Sequence, residues 1–301
     1  MMKNKKADII IIGAQKAGSA SFNINLSRHP NIYTHTTLEY GLFSNARSLK
    51  KGEEYFYKHT VSSNVKRNPA KEVFAARRVG IMYDPQKLLQ VKNHNPAVKV
   101  VMILRNPIDR AFSAFNYCHS AGMEPYTCFE DAIYINNPSR FNGNEIHKKS
   151  CSYIERSLYV QHVKNVYSVF PGENISVFLF EEMICDMNTH LNKICHAAGL
   201  PAFQFNNTPK QHTGRKSKGP LLLKLFSPSK ENIIIKLLPL QLRFKRKTET
   251  KKKILINSTN NAKQQMDAST REYLKKIFMD DVHELESLLG LPIRQYWSEF
   301  F

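Results

Sequence analysis

At 301 residues, with 42% hydrophobic content and 18 Phe beside 13 Tyr, the chain can bury a sizeable globular core. No apolar run approaches the twenty residues of a membrane span. The five cysteines (Cys118, Cys128, Cys151, Cys185 and Cys195) are odd in number and lack C-x-x-C spacing, which argues against zinc and for a reducing compartment. A formal charge of +19 draws anionic ligands to the surface, and nucleic acid, an acidic polysaccharide and an anionic membrane would each be attracted.

Ile9 to Ile12 are four β-branched residues in a row, the pattern of a short strand buried on both faces. Gly13 to Gly18 follow as a glycine-bounded turn, and SASFNINLSR then runs helically until Pro30. Strand, glycine loop and helix together present backbone N–H groups and a helix N-terminus to an anion. Gly13 and Gly18 have the spacing of the nucleoside-triphosphatase loop G-x-x-x-x-G-K-[ST]. Here, however, Ser19 stands at the lysine position and the lysine has moved to Lys16. A tight βα turn carrying a solvated lysine is the alternative.

Asn31 to His35 is predicted as a short second strand, which places Glu39 in the loop beyond its end. In an open parallel sheet that edge binds ligands, although a surface carboxylate would look the same. A helix is expected over residues 52–62. Arg77 and Arg78 precede a helix start at Tyr83-Asp84-Pro85, either as ordinary surface charge or as a planar grip on an anion. Val98 to Leu104 is the second clear buried strand and runs into Arg105-Asn106-Pro107 and a helix. Asn106 suits the N-cap, Pro107 the first helical position and Asp109 the helix dipole. Arg105 and Ser113 can then form a second anion site, with an Arg105–Asp109 pair as the alternative.

Between Pro209 and Lys253 fourteen basic residues face two acidic ones, Glu231 and Glu249. Leu221 to Arg246 mixes Leu and Ile clusters with lysines. A pair of helices covering the sheet is the favoured explanation. A basic amphipathic segment on an anionic membrane, serving a lipid-linked acceptor, is the other.

GAQKAGSAS after a strand, followed later by ILRNPIDRAFSAF, resembles the two donor-binding signatures of sulfotransferases, nearest to the heparan-sulfate and bacterial carbohydrate branch. Glu39-Tyr40-Gly41-Leu42-Phe43 is similar to that branch's Glu-x-x-Phe-Phe. Ser157-Leu158-Tyr159, Phe170-Pro171 and Glu181-Glu182-Met183 match its central helix–strand unit, and Met266-Asp267 through Trp297 match its C-terminal helices. The resemblance implies 3′-phosphoadenosine 5′-phosphosulfate as donor, with no metal. Lys16, Ala17, Gly18, Ser19, Ala20 and Ser21 would hold the 5′-phosphosulfate, and Lys16 would meet the charge on the bridging oxygen. Arg105 and Ser113 would hold the 3′-phosphate, and Glu39 would be the general base. Arg77 or Arg78 falls where the family often has a lysine. The family's second donor loop, commonly Lys-Gly-Arg, has no direct match; Gly214-Arg215-Lys216 and Lys263 are the candidates. Gly41 replaces the usual polar residue two after the glutamate.

The sequence thus predicts one α/β domain over 1–301, a P-loop-type parallel sheet of about five strands with helices on both faces and a basic insertion at about 214–260. The expected activity is sulfuryl transfer to an acceptor hydroxyl, on carbohydrate or glycolipid, in a cytoplasmic protein, with peripheral contact to the inner membrane face as the alternative that the basic segment leaves open. A kinase-like P-loop protein is opposed by Ser19. A non-catalytic polyanion binder has only charge in its favour, and no zinc-finger or RNP-type signature points to nucleic acid.

Overall fold

The computed structural model describes residues 6–35, 37, 39–60, 73–135, 137–205 and 265–301. The basic segment at 214–260, with Arg215, lies outside the described residues, as does Lys263.

Five strands form a parallel sheet: β1 (Ile9–Gly13), β2 (Ile32–Thr34), β3 (Val73–Arg77), β4 (Lys99–Leu104) and β5 (Ile175–Leu179). Their order is β2-β3-β1-β4-β5, with every pairing parallel. β1 is central and all five of its residues are buried, as a β-branched run enclosed on both faces demands. The chain leaves β1 toward β2 and leaves β4 toward β5, in opposite directions along the sheet. That reversal opens a crevice beyond the carboxyl ends of β1 and β4, where open parallel sheets bind ligands.

β1, β2 and β4 lie where the apolar runs place them. β3 was not anticipated, because VFAAR carries two alanines and an arginine in place of a β-branched run; its residues are nevertheless all buried. The helix expected over 52–62 is longer at its start, Ala46–Thr60, and breaks at Gly52, whose φ of 74° is a left-handed conformation.

The sheet is flanked by helices. Ser19–Leu26 packs on β3 and on the Met187–Ala197 helix, and Pro85–His94 packs on Tyr159–Val169. The chain divides into two compact units. The first, comprising the described residues within 6–110, 156–205 and 275–301, holds the sheet and the crevice. The second comprises, of the described residues, 111–135, 137–155 and 265–274. There the fully buried Glu124 accepts hydrogen bonds from the Tyr153 hydroxyl (3.0 Å) and the Tyr126 N–H (3.2 Å) and pairs with Arg140 at 3.3 Å. Phe115, Phe129 and Tyr153 pack around one another beside it. Among the described residues no helix is long and apolar enough to cross a membrane.

Two long-range contacts of the first unit fix the approach to the crevice. The Asp281 carboxylate accepts from the backbone N–H groups of Tyr159 (2.6 Å) and Val160 (3.1 Å), capping a helix start that has no cap of its own. Tyr159, so anchored, donates its hydroxyl to the Arg105 carbonyl at 2.8 Å. Asp281→Ala should therefore destabilise the fold by about 1–2 kcal/mol, the usual worth of a lost cap. Chemical denaturation measures this, and a loss below about 0.5 kcal/mol would contradict the assigned role.

Candidate active site

The loop between β1 and the Ser19–Leu26 helix is shaped by two glycines that admit no side chain. A Cβ on Gly13 would lie 2.4 Å from the Met82 sulfur, and one on Gly18 would lie 2.8 Å from the Phe180 ring, at a φ of 78°. Gly18 is the helix N-cap, with no side-chain cap. The backbone N–H groups of Ser19, Ala20 and Ser21 thus lack intrahelical acceptors and make the helix start a candidate anion site. Lys16 sits in mid-loop with a φ of 69°.

Glu39 lies just past β2, at the sheet's carboxyl edge. Its Oε1 is 3.2 Å from Arg77 Nη1, and its Oε2 is 4.0 Å from Arg78 Nη1. The same Arg77 Nη1 donates to the Ser19 hydroxyl at 3.3 Å, so one guanidinium ties the carboxylate to the start of the helix after β1. Burial pushes the Glu39 carboxyl above its ordinary value, against the pull of Arg77, Arg78, the Val79 N–H and Arg156. A carboxylate with raised proton affinity, partly open to the crevice, has the properties of a general base. Arg77 is not surface charge. Its side chain is 7% exposed, and as the last residue of β3 it points its head along the sheet edge.

Arg105 follows β4 directly. Its Nη1 donates to the Lys16 carbonyl at 3.2 Å, and its guanidinium lies 5.0 Å from the centre of the Phe180 ring. Its Nε is buried with no hydrogen-bond partner among the described residues. The turn beneath is rigid. Asn106 caps the next helix through the Ile108 N–H (3.0 Å), as the sequence predicted. Glu181 holds the Asn106 N–H and the Trp297 indole N–H, both at 3.0 Å. Ser113 lies on the Pro107–Ser120 helix, half-buried, and belongs to the second unit.

The crevice therefore carries an uncapped helix start, a lysine, a half-buried arginine with a buried, unfilled Nε donor and a carboxylate of raised proton affinity. A family model described as the sulfotransferase domain matches residues 6–286. The chain belongs to the sulfotransferase family. It is 26% identical over 207 residues to the bifunctional heparan sulfate N-deacetylase/N-sulfotransferase 1 of Caenorhabditis elegans, and 24% identical over 214 residues to that of Caenorhabditis briggsae. Each match covers 67% of this chain but only 23% and 24% of the relative, so the chain spans about a quarter of their length. A solved sulfotransferase from Alicyclobacillus acidocaldarius shares the fold, with a TM-score of 0.62 and 21% identity over 95% of this chain and 96% of that one.

Sequence reasoning on this sulfotransferase missed two residues. Arg156 donates to the Gln15 side chain and stands near Glu39; one cation inside SYIERSLY carries no signal of its own. His35 closes β2, and its Nε2 accepts the Arg77 backbone N–H at 3.1 Å. Its Nδ1 faces the Thr37 carbonyl at 2.8 Å, so the neutral ring carries its proton on Nδ1. Burial lowers its pKa from 6.5 to about 4, aided by the charge of Arg77.

A depressed histidine pKa means that the unfolded chain takes up the proton first as pH falls. The contribution of His35 is complete above about pH 6.5 and is lost on acidification toward pH 4, amounting to roughly 3 kcal/mol. Unfolding free energies at pH 7, 5.5 and 4 should decline accordingly, and His35→Gln should flatten that slope. Part of it should persist through His94, lowered to about 4 by the same cause. An unchanged slope in His35→Gln would exclude His35 as its source.

Proposed function

We propose that this sulfotransferase moves a sulfuryl group from 3′-phosphoadenosine 5′-phosphosulfate to a hydroxyl of a carbohydrate or glycolipid acceptor by in-line displacement. The observation that carries this reading is the Arg105 guanidinium. It is fixed by the Lys16 carbonyl and the Phe180 ring, yet keeps a buried Nε without a partner. An orphaned cationic donor beside an uncapped helix start fits a ligand with anionic groups at both ends of a ribose. The donor brings the activated sulfuryl group, and the protein supplies binding, orientation and charge.

In this reading the loop Lys16–Ser21 takes the 5′ end and Arg105 the 3′-phosphate. Lys16 meets the negative charge that builds on the bridging oxygen as the sulfur–oxygen bond breaks. Glu39 takes the proton of the attacking acceptor hydroxyl, and Arg77 holds Glu39 in line while compensating its charge. Arg78, more exposed and farther from Glu39, faces the acceptor. The acceptor class is inferred from relatives named for heparan sulfate, whose name specifies N-sulfation, so an amino sugar belongs in the acceptor panel.

Calorimetry with adenosine 3′,5′-bisphosphate, ADP and ATP, with and without magnesium, tests the donor. Metal-independent binding of the bisphosphate is expected, weakened about tenfold to a hundredfold in Arg105→Ala. Lys16→Ala should likewise weaken donor use. Glu39→Gln should leave bisphosphate affinity within about twofold while lowering transfer of labelled sulfate to N-desulfated heparin or neutral glycans by at least about a hundredfold. Preference for ATP with magnesium would reject the donor, and normal turnover in Glu39→Gln would reject the base.

A further inference from the structure

Lys16 holds its place in a left-handed backbone conformation that side-chain-bearing residues avoid. A lysine has none of glycine's freedom to adopt that conformation, and the residues around the loop hold it there. The neighbouring residue, Gln15, is gripped twice. Its backbone N–H donates to the Tyr83 hydroxyl at 3.1 Å, and its side-chain Oε1 accepts from Arg156 Nη1 at 3.0 Å. Tyr83 and Arg156 also support each other, the guanidinium lying 4.6 Å from the centre of the phenol ring. His162 packs its edge on that ring at 5.0 Å.

Both grips rest on fixed backbone. Tyr83 immediately precedes Asp84, the N-cap of the Pro85–His94 helix. Arg156 immediately precedes the fully buried Ser157, whose hydroxyl donates to the Pro107 carbonyl (3.0 Å) and accepts from Arg110 Nε (2.6 Å). On the flanks, the Ala14 N–H donates to the Ile103 carbonyl at 2.7 Å, and the Lys16 carbonyl takes Arg105. Three consecutive loop residues are thereby pinned from β4, from the Tyr83 turn and from Arg156. Tyr83 as a plain core aromatic, or Arg156 as a plain surface cation, would leave unexplained why both polar ends meet on the one residue before Lys16.

We infer that Tyr83 and Arg156 are positioning residues that act through Gln15, setting the left-handed turn at Lys16 and so the place of its ammonium and of the loop N–H groups before any ligand arrives. The identity of the ligand rests on the donor proposed above; the clamp itself does not. A loop ordered in advance spares the ligand the entropy of ordering it, and that gain is confined to the end of the ligand that the loop touches.

The test compares Tyr83→Phe, Gln15→Leu, Arg156→Leu and Arg156→Lys with the parent protein. Affinities are measured for adenosine 5′-monophosphate, adenosine 3′-monophosphate and the 3′,5′-bisphosphate, and hydrogen exchange is followed across residues 13–18 without ligand. Tyr83→Phe and Gln15→Leu, which leave net charge untouched, should each weaken the two 5′-phosphorylated ligands about tenfold, the worth of one lost hydrogen bond. The 3′-monophosphate should stay within about twofold, and loop exchange should speed up by a similar factor. Arg156→Lys, which keeps a donor for Gln15, should recover at least half of the loss in Arg156→Leu. Gln15→Leu combined with Arg156→Leu should lose no more than the worse single variant, since both break one bond. Equal weakening of all three ligands would reduce the clamp to general stability and overturn the inference, as would unchanged loop exchange. If the parent protein binds none of the three nucleotides, the donor reading falls, and loop exchange alone decides for or against the clamp.

Discussion

A charge taken out of water has to be met by partners, and at the carboxyl edge of this sheet the charge is Arg77. Its backbone N–H goes to His35 at the end of β2, its Nη1 to Ser19 at the start of the helix after β1, and the same Nη1 to Glu39 in the loop after β2. One buried side chain therefore sets the spacing between the glycine loop and the only carboxylate that faces it among these contacts. His35 can accept that N–H only while neutral, so the burial that lowers its pKa also preserves the geometry of its neighbour. Breaking one partner of such a network leaves a buried charge uncompensated, which is far costlier than the bond itself is worth.

The other wall of the crevice depends on Phe180. Its ring forbids a side chain on Gly18 and supports the flat face of Arg105, so one residue at the end of β5 bounds both candidate anion sites. Its sequence neighbour Glu181 holds Asn106 and Trp297. The turn after β4 is thus locked to the chain's C-terminal residues, almost two hundred positions away. The distance between the two candidate anion sites is set by packed rings and backbone bonds, which would suit a ligand of fixed length better than a diffuse polyanion.

What the sequence disclosed and what it hid follow from the same physics. β1 and β4 were legible because a strand buried on both faces needs unbroken β-branched or apolar residues, and the glycine loop was legible because close backbone approach tolerates no side chain. The donor-type motifs, together with the C-terminal pattern, pointed to the family before any coordinates. β3 was hidden because alanines fill a central strand without the β-branched signature, and Arg77 with it, since a lone arginine reads as surface until a partner is placed opposite. Tyr83, Arg156 and His35 lie 68, 141 and 42 positions from the groups they bind, and pairings of that span leave no local pattern. The strand order was equally invisible, because crossovers are specified by packing and not by any one segment.

Before a ligand binds, Arg77, Arg78 and Arg156 act on the charge of Glu39, and Arg105 is bonded to the Lys16 carbonyl in the glycine loop. Cations held at close quarters repel one another wherever a carboxylate does not offset them, and the packing of the sheet and the caps of its helices oppose that repulsion. An anionic ligand in the proposed site would offset that repulsion. By satisfying the Arg105 Nε and filling the uncapped helix start it would return its binding free energy as folding stability. The loop before Lys16 lies among these cations and is pinned from outside. Cations at close quarters spread apart unless the backbone that carries them is fixed, and here the backbone is held by Tyr83, Ile103 and two of the arginines themselves.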